Sequence, residues 1–493
     1  MRVLVVTTMY PPHAYGGYEY SCRDVAERWQ RDGDEVTVLT SDLHLPGRTE
    51  TEGPVPVRRQ LRLYWRDHRV LHPPVARRLA VDCSNVRSVR EALRDVDPDV
   101  VSVWAMGALS LGVLSELAEQ ARPTVLVICD EWPVYGPELD AWLRLFVHRP
   151  RLGHLVEQVS RRHGRVRWHA TLPPLDTLGP ACFVSDFLRE RARHATSWTF
   201  PVSAVVHSGI DTSDFPLVGG VPGGVCAQQF RAERTPAREA HSGDAPSGPP
   251  AGPSGGSSVV ATPLQVCAGS AAPLASPWRW RLLYVGRIDP RKGIASALRA
   301  LAACPTSATL AVHGTGDEVH LHELRQLAGE LGIAQRVTFT STPRHQLADV
   351  YRQADALIFP STWEEPFGLV PVEAMACGLP VVACRVGGAA EFLVHEGNCL
   401  EVPPDDPAAI AAALRRLAGA ASLRQHLVDG GRATAAQLDV ERLARLLRAW
   451  NRAALEAADA GARDRSAWPC EQRLELPVPA AADLGCGERP ATS

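Results

Sequence analysis

Two hydrophobic patterns alternate along this chain. Arg2–Thr8 (RVLVVTT) is a continuous β-branched run of the kind buried on both faces of a parallel sheet. A loop with Pro11, Pro12, Gly16 and Gly17 follows, and then Cys22, Val25, Ala26 and Trp29 recur at helical spacing until Gly33 stops the segment. Glu35–Thr40 is the next strand, and the same alternation predicts strands at Val100–Val103, Thr124–Ile128, Ala181–Val184 and Ala204–His207. It resumes later with strands at Arg281–Val285, Thr309–His313, Arg336–Phe339, Ala356–Phe359 and Pro380–Ala383. Helices are predicted between them, among them Ile294–Ala303 and His320–Leu331, and beyond them at Pro407–Ala418 and Val440–Ala458. Strands that alternate with helices in this way predict doubly wound α/β sheets.

The interruption is compositional. From about Val218 to Pro277 the chain (GGVPGGVCAQQ and onward) is rich in Gly, Pro, Ser and Ala without periodicity, and it cannot bury enough apolar surface to offset its ordering entropy. The expected organisation is a first domain over 1–200, and a hinge with the start of the second over 201–217. A disordered insertion spans 218–278, the second domain 279–460, with its last helix returning to the first, and a disordered tail 461–493. The 493 residues carry 52 basic and 55 acidic side chains, a balance of −3 that argues against a dedicated nucleic-acid binder. The N-terminus has no signal-peptide pattern, no apolar run is long enough to span a membrane, and the 12 cysteines form no CxxC pair, so a reduced, cytoplasmic setting is expected. Of the 52 basic side chains one alone, Lys292, is lysine.

Two stretches could carry chemistry. In Tyr284–Gly293 (YVGRIDPRKG) a strand ends at Val285, Gly286 permits a tight turn, and Arg287 and Lys292 precede a helix start. Cations beside a helix N-terminus suit a diphosphate. The order Lys-Gly-Ile is not that of a Walker A loop, and a basic solvated turn is the plain alternative. In Ser361–Gly378 (STWEEPFGLVPVEAMACG) a loop follows the strand ALIF at the end where open α/β sheets bind ligands. Pro371 reads as the first helical residue and Gly378 as the terminator. Glu365 falls in the loop and Glu373 in the first turn, where two carboxylates could accept hydrogen bonds from sugar and ribose hydroxyls, although Glu373 alone reads as a dipole partner.

GRIDPRKG, EEPFGLVPVEAMACGLPVVA and VGGAAEFL together resemble the retaining nucleotide-sugar glycosyltransferases of family four, which have the GT-B fold. Glu365 and Glu373 match that family's E-x7-E motif, Gly16-Gly17-Tyr18-Glu19 its N-terminal glycine loop, and Val206–Asp211 (VHSGID) its hinge string. The resemblance implies two Rossmann-like domains facing a cleft. It implies that Arg287 and Lys292 clamp the donor diphosphate, Glu373 binds ribose, and Glu365 contacts the transferred sugar. The backbone around Gly286, Phe367, Gly368 and Leu369 would hold phosphate and sugar oxygens, with Gly16 and Gly17 closing from the other domain. The implied reaction is metal-independent transfer, with retained configuration, from a nucleoside-diphosphate sugar to a glycan, lipid-linked saccharide or small metabolite. No cofactor beyond the donor substrate is implied.

The sequence departs from the pattern where relatives carry a His-Asp pair. Here Cys129 precedes Asp130, with Glu131 and Trp132 following, and Asp130 or Glu131 is the candidate to take over the acceptor side. Ser208 replaces the hinge Asn. Glu19, Cys129, Glu131 and Trp132 are expected to face the acceptor, although core packing is the default for Trp132 and Trp104. Asp97-Pro98-Asp99 precedes its strand and reads as a strand entry rather than a metal site, and Gly314-Thr315-Gly316-Asp317 lacks the third glycine of a dinucleotide fingerprint. Two alternatives stand beside transfer: a catalytically silent sugar-nucleotide-binding protein, and a sugar-nucleotide epimerase. Basic and apolar side chains in the first domain leave peripheral membrane contact open.

Overall fold

In a computed structural model of the chain, residues 1–49, 53–66, 69–71, 73–163, 168–216, 277–459, 468–469, 471, 474 and 476 are described. The expected insertion, apart from its last two positions, and most of the expected tail lie outside these residues.

Seven parallel strands build the first lobe: β1 (Arg2–Val6), β2 (Glu35–Ser41), β3 (Val57–Leu61), β4 (Val100–Val103), β5 (Thr124–Ile128), β6 (Ala181–Phe183) and β7 (Ser203–Val205). Their order is β3-β2-β1-β4-β5-β6-β7. Helices α1 (Gly17–Arg31), α2 (Val75–Val96), α3 (Trp132–Leu139), α4 (Pro150–His163) and α5 (Asp186–Ala195) are among those connecting or flanking them. The second lobe has six parallel strands, β8 (Arg281–Val285), β9 (Thr309–His313), β10 (Val337–Thr340), β11 (Ala356–Phe359), β12 (Val381–Ala383) and β13 (Leu400–Glu401), in the order β10-β9-β8-β11-β12-β13. Helices α6 (Ile294–Ala302) and α7 (Leu369–Ala376) each follow a strand-end loop in this lobe.

Every residue of β4, β5 and β11 is buried, as strands covered on both faces require. Strand order reverses around β1 in the first sheet and around β8 in the second. At such points the loops leave in opposite directions and open a crevice beyond the carboxyl ends of the strands. The crevice beside β8 receives the loops after β8 and β11, the two stretches singled out above.

Two edge elements escape the hydrophobic pattern. β3 (VRRQL) buries only Leu61 and β13 has two residues, so neither shows β-branched runs. The second-lobe helix expected from His320 starts at Glu318, because Asp317 caps it by accepting from the Val319 amide at 2.8 Å. α7 begins two residues before Pro371, since Gly368 at φ +92° forms its N-cap, and Pro371 therefore sits inside the first turn.

The last helix, α8 (Val440–Asp459), lies on the first lobe. Trp29 Nε1 donates to Ala444 O at 2.9 Å, and Arg448 pairs with Asp34 at 2.6 Å. At the hinge Ile210 exchanges backbone hydrogen bonds with Leu438 and Val440. Trp468 stacks on Trp450 of α8 with ring centroids 5.7 Å apart, and Glu471 accepts from the Val205 amide at 3.1 Å.

Candidate functional site

Both lobes line one cleft of about 2140 Å³. On the second-lobe side the turn after β8 brings Arg287 and Lys292 to the wall, with Asp289 capping the short turn by accepting from the Arg291 amide at 3.0 Å. Gly293 then starts α6 at φ +68°, with its α-carbon packed so close to Pro360 that a methyl group would lie 1.9 Å from Pro360 O. This contact ties the β8 loop to the β11 loop.

The two loops meet side chain to side chain. Lys292 Nζ donates to Glu365 Oε1, and Ser361 Oγ donates to the same oxygen at 2.9 Å. Both members of the ion pair are largely buried. Desolvation lowers the Lys292 pKa, Glu365 opposes that shift, and the nearby Arg287 charge reinforces it. The Lys292 ammonium and the Arg291 guanidinium each lie 4.9 Å from the centre of the Trp363 ring, which also lines the cleft.

Glu373 lies deeper, on α7, and is 3 % exposed. Its oxygens are held separately: Arg344 Nη1 donates to Oε1 at 2.8 Å and the Tyr351 hydroxyl to Oε2 at 2.8 Å. Arg344 in turn sits between aromatic faces, 4.8 Å from the ring centre of Tyr20 on α1 and 5.5 Å from that of Phe215. The sequence reading missed Arg344 and Trp363. Arg344 follows β10 at the carboxyl edge of the same sheet, but the partners that give it a role, Glu373, Tyr20 and Phe215, are distant in sequence.

From the first lobe, the N-terminus of α1 faces that of α7. A methyl group on Gly17 would lie 3.0 Å from Leu369 Cδ1, so the two glycine-flanked helix ends approach across the cleft. Free amides at such ends attract anions. Glu19 lines the wall, but its carboxylate accepts from the Gly16 amide at 2.9 Å and completes the cap of α1, while burial pushes its pKa up to about 7. The loop around Phe367 is pinned from the first lobe, where Ser185 Oγ donates to Pro366 O at 2.6 Å and His207 lies 5.7 Å, ring to ring, from Phe367.

The acceptor-side candidates separate. Cys129, Asp130 and Glu131 line the cleft. Asp130 accepts from the Tyr135 hydroxyl at 2.5 Å and from the Trp132 amide at 3.2 Å, and burial raises its pKa to about 6. Glu131 pairs with Arg191 at 2.7 Å, and the same guanidinium reaches Glu364 of the second lobe at 3.0 Å. Trp132 is a correction: it opens α3 pointing inward, is fully buried, and packs at 6.3 Å on Trp198, so no ligand can stack on it. Trp104 is buried likewise, with its indole N–H on Ser102 Oγ at 3.1 Å.

The two remaining strings take different places in the fold. Asp97 ends α2 in the left-handed region at φ +43° and Asp99 pairs with Arg2 at 2.8 Å, a structural strand entry. Gly314 and Thr315 line the cleft, and Asp317 is spent on its helix cap. No helix of the described residues is long and apolar enough to cross a membrane.

Residues 274–434 match the glycosyl transferases group 1 family and residues 16–160 the glycosyl transferase 4-like domain. A D-inositol 3-phosphate glycosyltransferase of Frankia alni is 39% identical over 189 residues, which cover 36% of this chain and 46% of that protein. The matched region spans less than half the length of the first curated relatives. Among solved structures, a sucrose-phosphate synthase from Thermosynechococcus elongatus superposes with a TM-score of 0.61 at 20% identity, covering 92% of this chain and 99% of that one. HepE of Anabaena, solved in complex with UDP and glucose, superposes with a TM-score of 0.56 at 18% identity, covering 91% and 98%. The chain therefore carries a glycosyl transferase 4-like domain and a glycosyl transferases group 1 domain, arranged on the GT-B fold.

Proposed function

We propose that this protein transfers a sugar from a nucleoside-diphosphate sugar to an acceptor hydroxyl, with retention of configuration and without a metal in the catalytic role. The observation that carries the reading is the convergence of Arg287, Lys292, Glu365 and Glu373, from separate segments, on the cleft wall opposite the Gly16–Gly17 loop. Breaking the sugar–phosphate bond builds negative charge on the leaving diphosphate. Arg287, Lys292 and the amino ends of α1 and α7 meet that charge, and each well-placed donor of this kind contributes about 3–4 kcal/mol to the transition state. Glu373 takes the ribose hydroxyls and Glu365 the hydroxyls of the transferred sugar.

The acceptor enters from the first-lobe side, where Asp130 is the group nearest the place of the family's missing histidine. Attack comes from the face the phosphate leaves, and the departing phosphate accepts the acceptor's proton. That route does not require an imidazole at Cys129. HepE was solved in complex with UDP and glucose, which makes UDP-glucose the first donor to try.

The test is a thermal-shift screen against UDP-, GDP- and ADP-sugars, since a bound donor stabilises the folded state, followed by product analysis with the stabilising donor. Lys292→Ala and Glu365→Ala should each abolish transfer while the fold survives. Wild-type turnover in both variants contradicts the assignment, and binding without transfer or donor hydrolysis on a broad acceptor panel favours the silent binder instead.

A further inference from the structure

Helix α4 turns Leu152, Leu155 and Val159 away from the lobe, and of its branched apolar side chains Val156 alone packs on the small core of Tyr64, Trp142 and Phe146. Its inner stripe is Gly153, Glu157 and Ser160. A methyl group on Gly153 would lie 2.3 Å from Ala170 O, and Ser160 Oγ accepts from the Trp168 amide at 2.7 Å. Glu157 accepts from the Ala170 and Thr171 amides and from the Thr171 hydroxyl, at 3.1, 3.0 and 2.6 Å. The polar groups thus hold the helix to the lobe. Leu152, Leu155 and Val159, spaced three and four apart on the opposite side, stand 42 %, 55 % and 42 % exposed. Leu172, on the segment that α4 packs against, is 37 % exposed.

The charge along α4 itself is predominantly of one sign, with Glu138 of α3 offsetting only Arg144 and His148 ahead of the helix. Arg149, Arg151, Arg161 and Arg162 are all exposed, and Arg151 and Arg162 fall beside the apolar stripe at 100° per residue. Between Arg144 and His163 the sequence has five arginines and a single acid, Glu157, which is turned inward by its three hydrogen bonds.

We propose that α4 docks this protein on an anionic lipid surface. A helix with a leucine and valine face rimmed by arginine lies in the plane of a bilayer interface, its apolar side chains among the acyl carbons and its cations among phosphates. A second copy of the chain fits poorly, because a two-fold pairing of α4 would set its arginine rim against the same rim. An acidic headgroup layer supplies both the apolar depth and the counter-charge. Docking here brings the α3 side of the cleft, with Asp130 and Tyr135, close to the membrane, because α3 and α4 lie on the same lobe and Glu138 of α3 is 3.6 Å from Arg144, ahead of α4.

The experiment is co-sedimentation of the full chain with phosphatidylcholine vesicles, with and without phosphatidylglycerol, at low and raised salt. The wild type is expected to pellet with phosphatidylglycerol vesicles, to remain in solution with phosphatidylcholine alone, and to be released by salt. Leu152→Asp/Leu155→Asp and Arg151→Gln/Arg162→Gln should each weaken binding at least tenfold with unchanged far-UV circular dichroism and melting. The proposal fails if the wild type stays in solution with anionic vesicles at low salt. It fails equally if the Leu variant binds them as tightly as the wild type. Concentration-dependent self-association without lipid, abolished by the Leu variant, would assign the face to a second copy and overturn it too.

Discussion

The Arg344–Glu373 pair gives the sharpest quantitative test of the cleft. Its side chains are 16 % and 4 % exposed, and removing one partner of a buried pair costs about 3–5 kcal/mol because the other charge is left uncompensated. In Glu373→Gln the Tyr351 hydroxyl keeps an acceptor, and Arg344 still feels Asp24 and Asp214, so the lower end, about 3 kcal/mol, is expected. For a lobe of this size that is a fall of about 6–12 °C in its melting transition. Arg344→Met should cost a similar amount. In the double variant neither charge remains, and a coupling of about 2 kcal/mol or more should return part of the loss.

Nucleotide affinity separates the roles of the two residues. If Glu373 holds the ribose, Glu373→Gln loses a charge-assisted hydrogen bond of about 1.5–3 kcal/mol, a weakening of about 10- to 100-fold in the Kd for UDP by calorimetry. Arg344→Met frees the Oε1 oxygen that Arg344 occupies, so its affinity should be preserved or improved. Strictly additive stabilities in the cycle, or equal loss of UDP binding in both single variants, would refute the reasoning.

Two further perturbations reach other parts of the fold. Asp82 on α2 is fully buried, and burial, followed by the Asp140 charge, raises its pKa to about 7. Between the ordinary carboxyl range and pH 7 the folded state holds a proton that the unfolded chain has lost. Stability therefore falls as pH rises through that window, by up to ~1.4 kcal/mol per pH unit, and is flat with respect to this group above and below it. Urea unfolding of Asp82→Asn should show a slope smaller by this contribution, the buried Glu19 and Asp130 keeping theirs, and a variant with the full wild-type slope would assign it elsewhere. Gly293→Ala should destabilise by more than the ~1–3 kcal/mol of a strained backbone site, because its methyl would meet Pro360 O at 1.9 Å, and a loss below about 0.5 kcal/mol would show that the loops are not locked there.

How much of this was legible follows from what each residue must do locally. Buried parallel strands announce themselves because both faces must be apolar, so β1, β4, β5, β8 and β11 stand out as β-branched or aliphatic runs. β3 and β13 do not, since an edge strand is free to carry arginine and glutamate. Lys292, Glu365 and Glu373 were readable because strand ends, turns and helix starts are local signals, and their neighbourhood then follows from the strand-order reversal at β8. Arg344 was not, because its contacts with Glu373, Tyr20 and Phe215 join residues 29, 324 and 129 positions away, which no local pattern encodes. Trp132 misled for the opposite reason. Its position after a strand suits a cleft wall, and only the inward turn of α3 decides for the core.

The solitary lysine carries a final argument. A chain that uses arginine at 51 of 52 basic positions has kept an ammonium at Lys292, and the surroundings say why. Nζ meets a single carboxylate oxygen of Glu365, lies over the Trp363 face at 4.9 Å, and shares the wall with Arg287 and Arg291. A guanidinium is planar and wider and prefers two parallel acceptors, whereas the second hydrogen bond to Glu365 Oε1 comes from Ser361. An arginine here would be pushed off Glu365 towards Arg287, at an overpacking cost of about 1–3 kcal/mol. Lys292→Arg keeps the charge, so if charge alone held the diphosphate, activity would survive. The geometry instead predicts a loss of at least about 100-fold in kcat, as for removal of a transition-state donor, with Kd for the nucleotide changed far less. An active Lys292→Arg enzyme would mean that the compact shape of the ammonium has no part in the reaction, and that the pairing with Glu365 serves the fold rather than the chemistry.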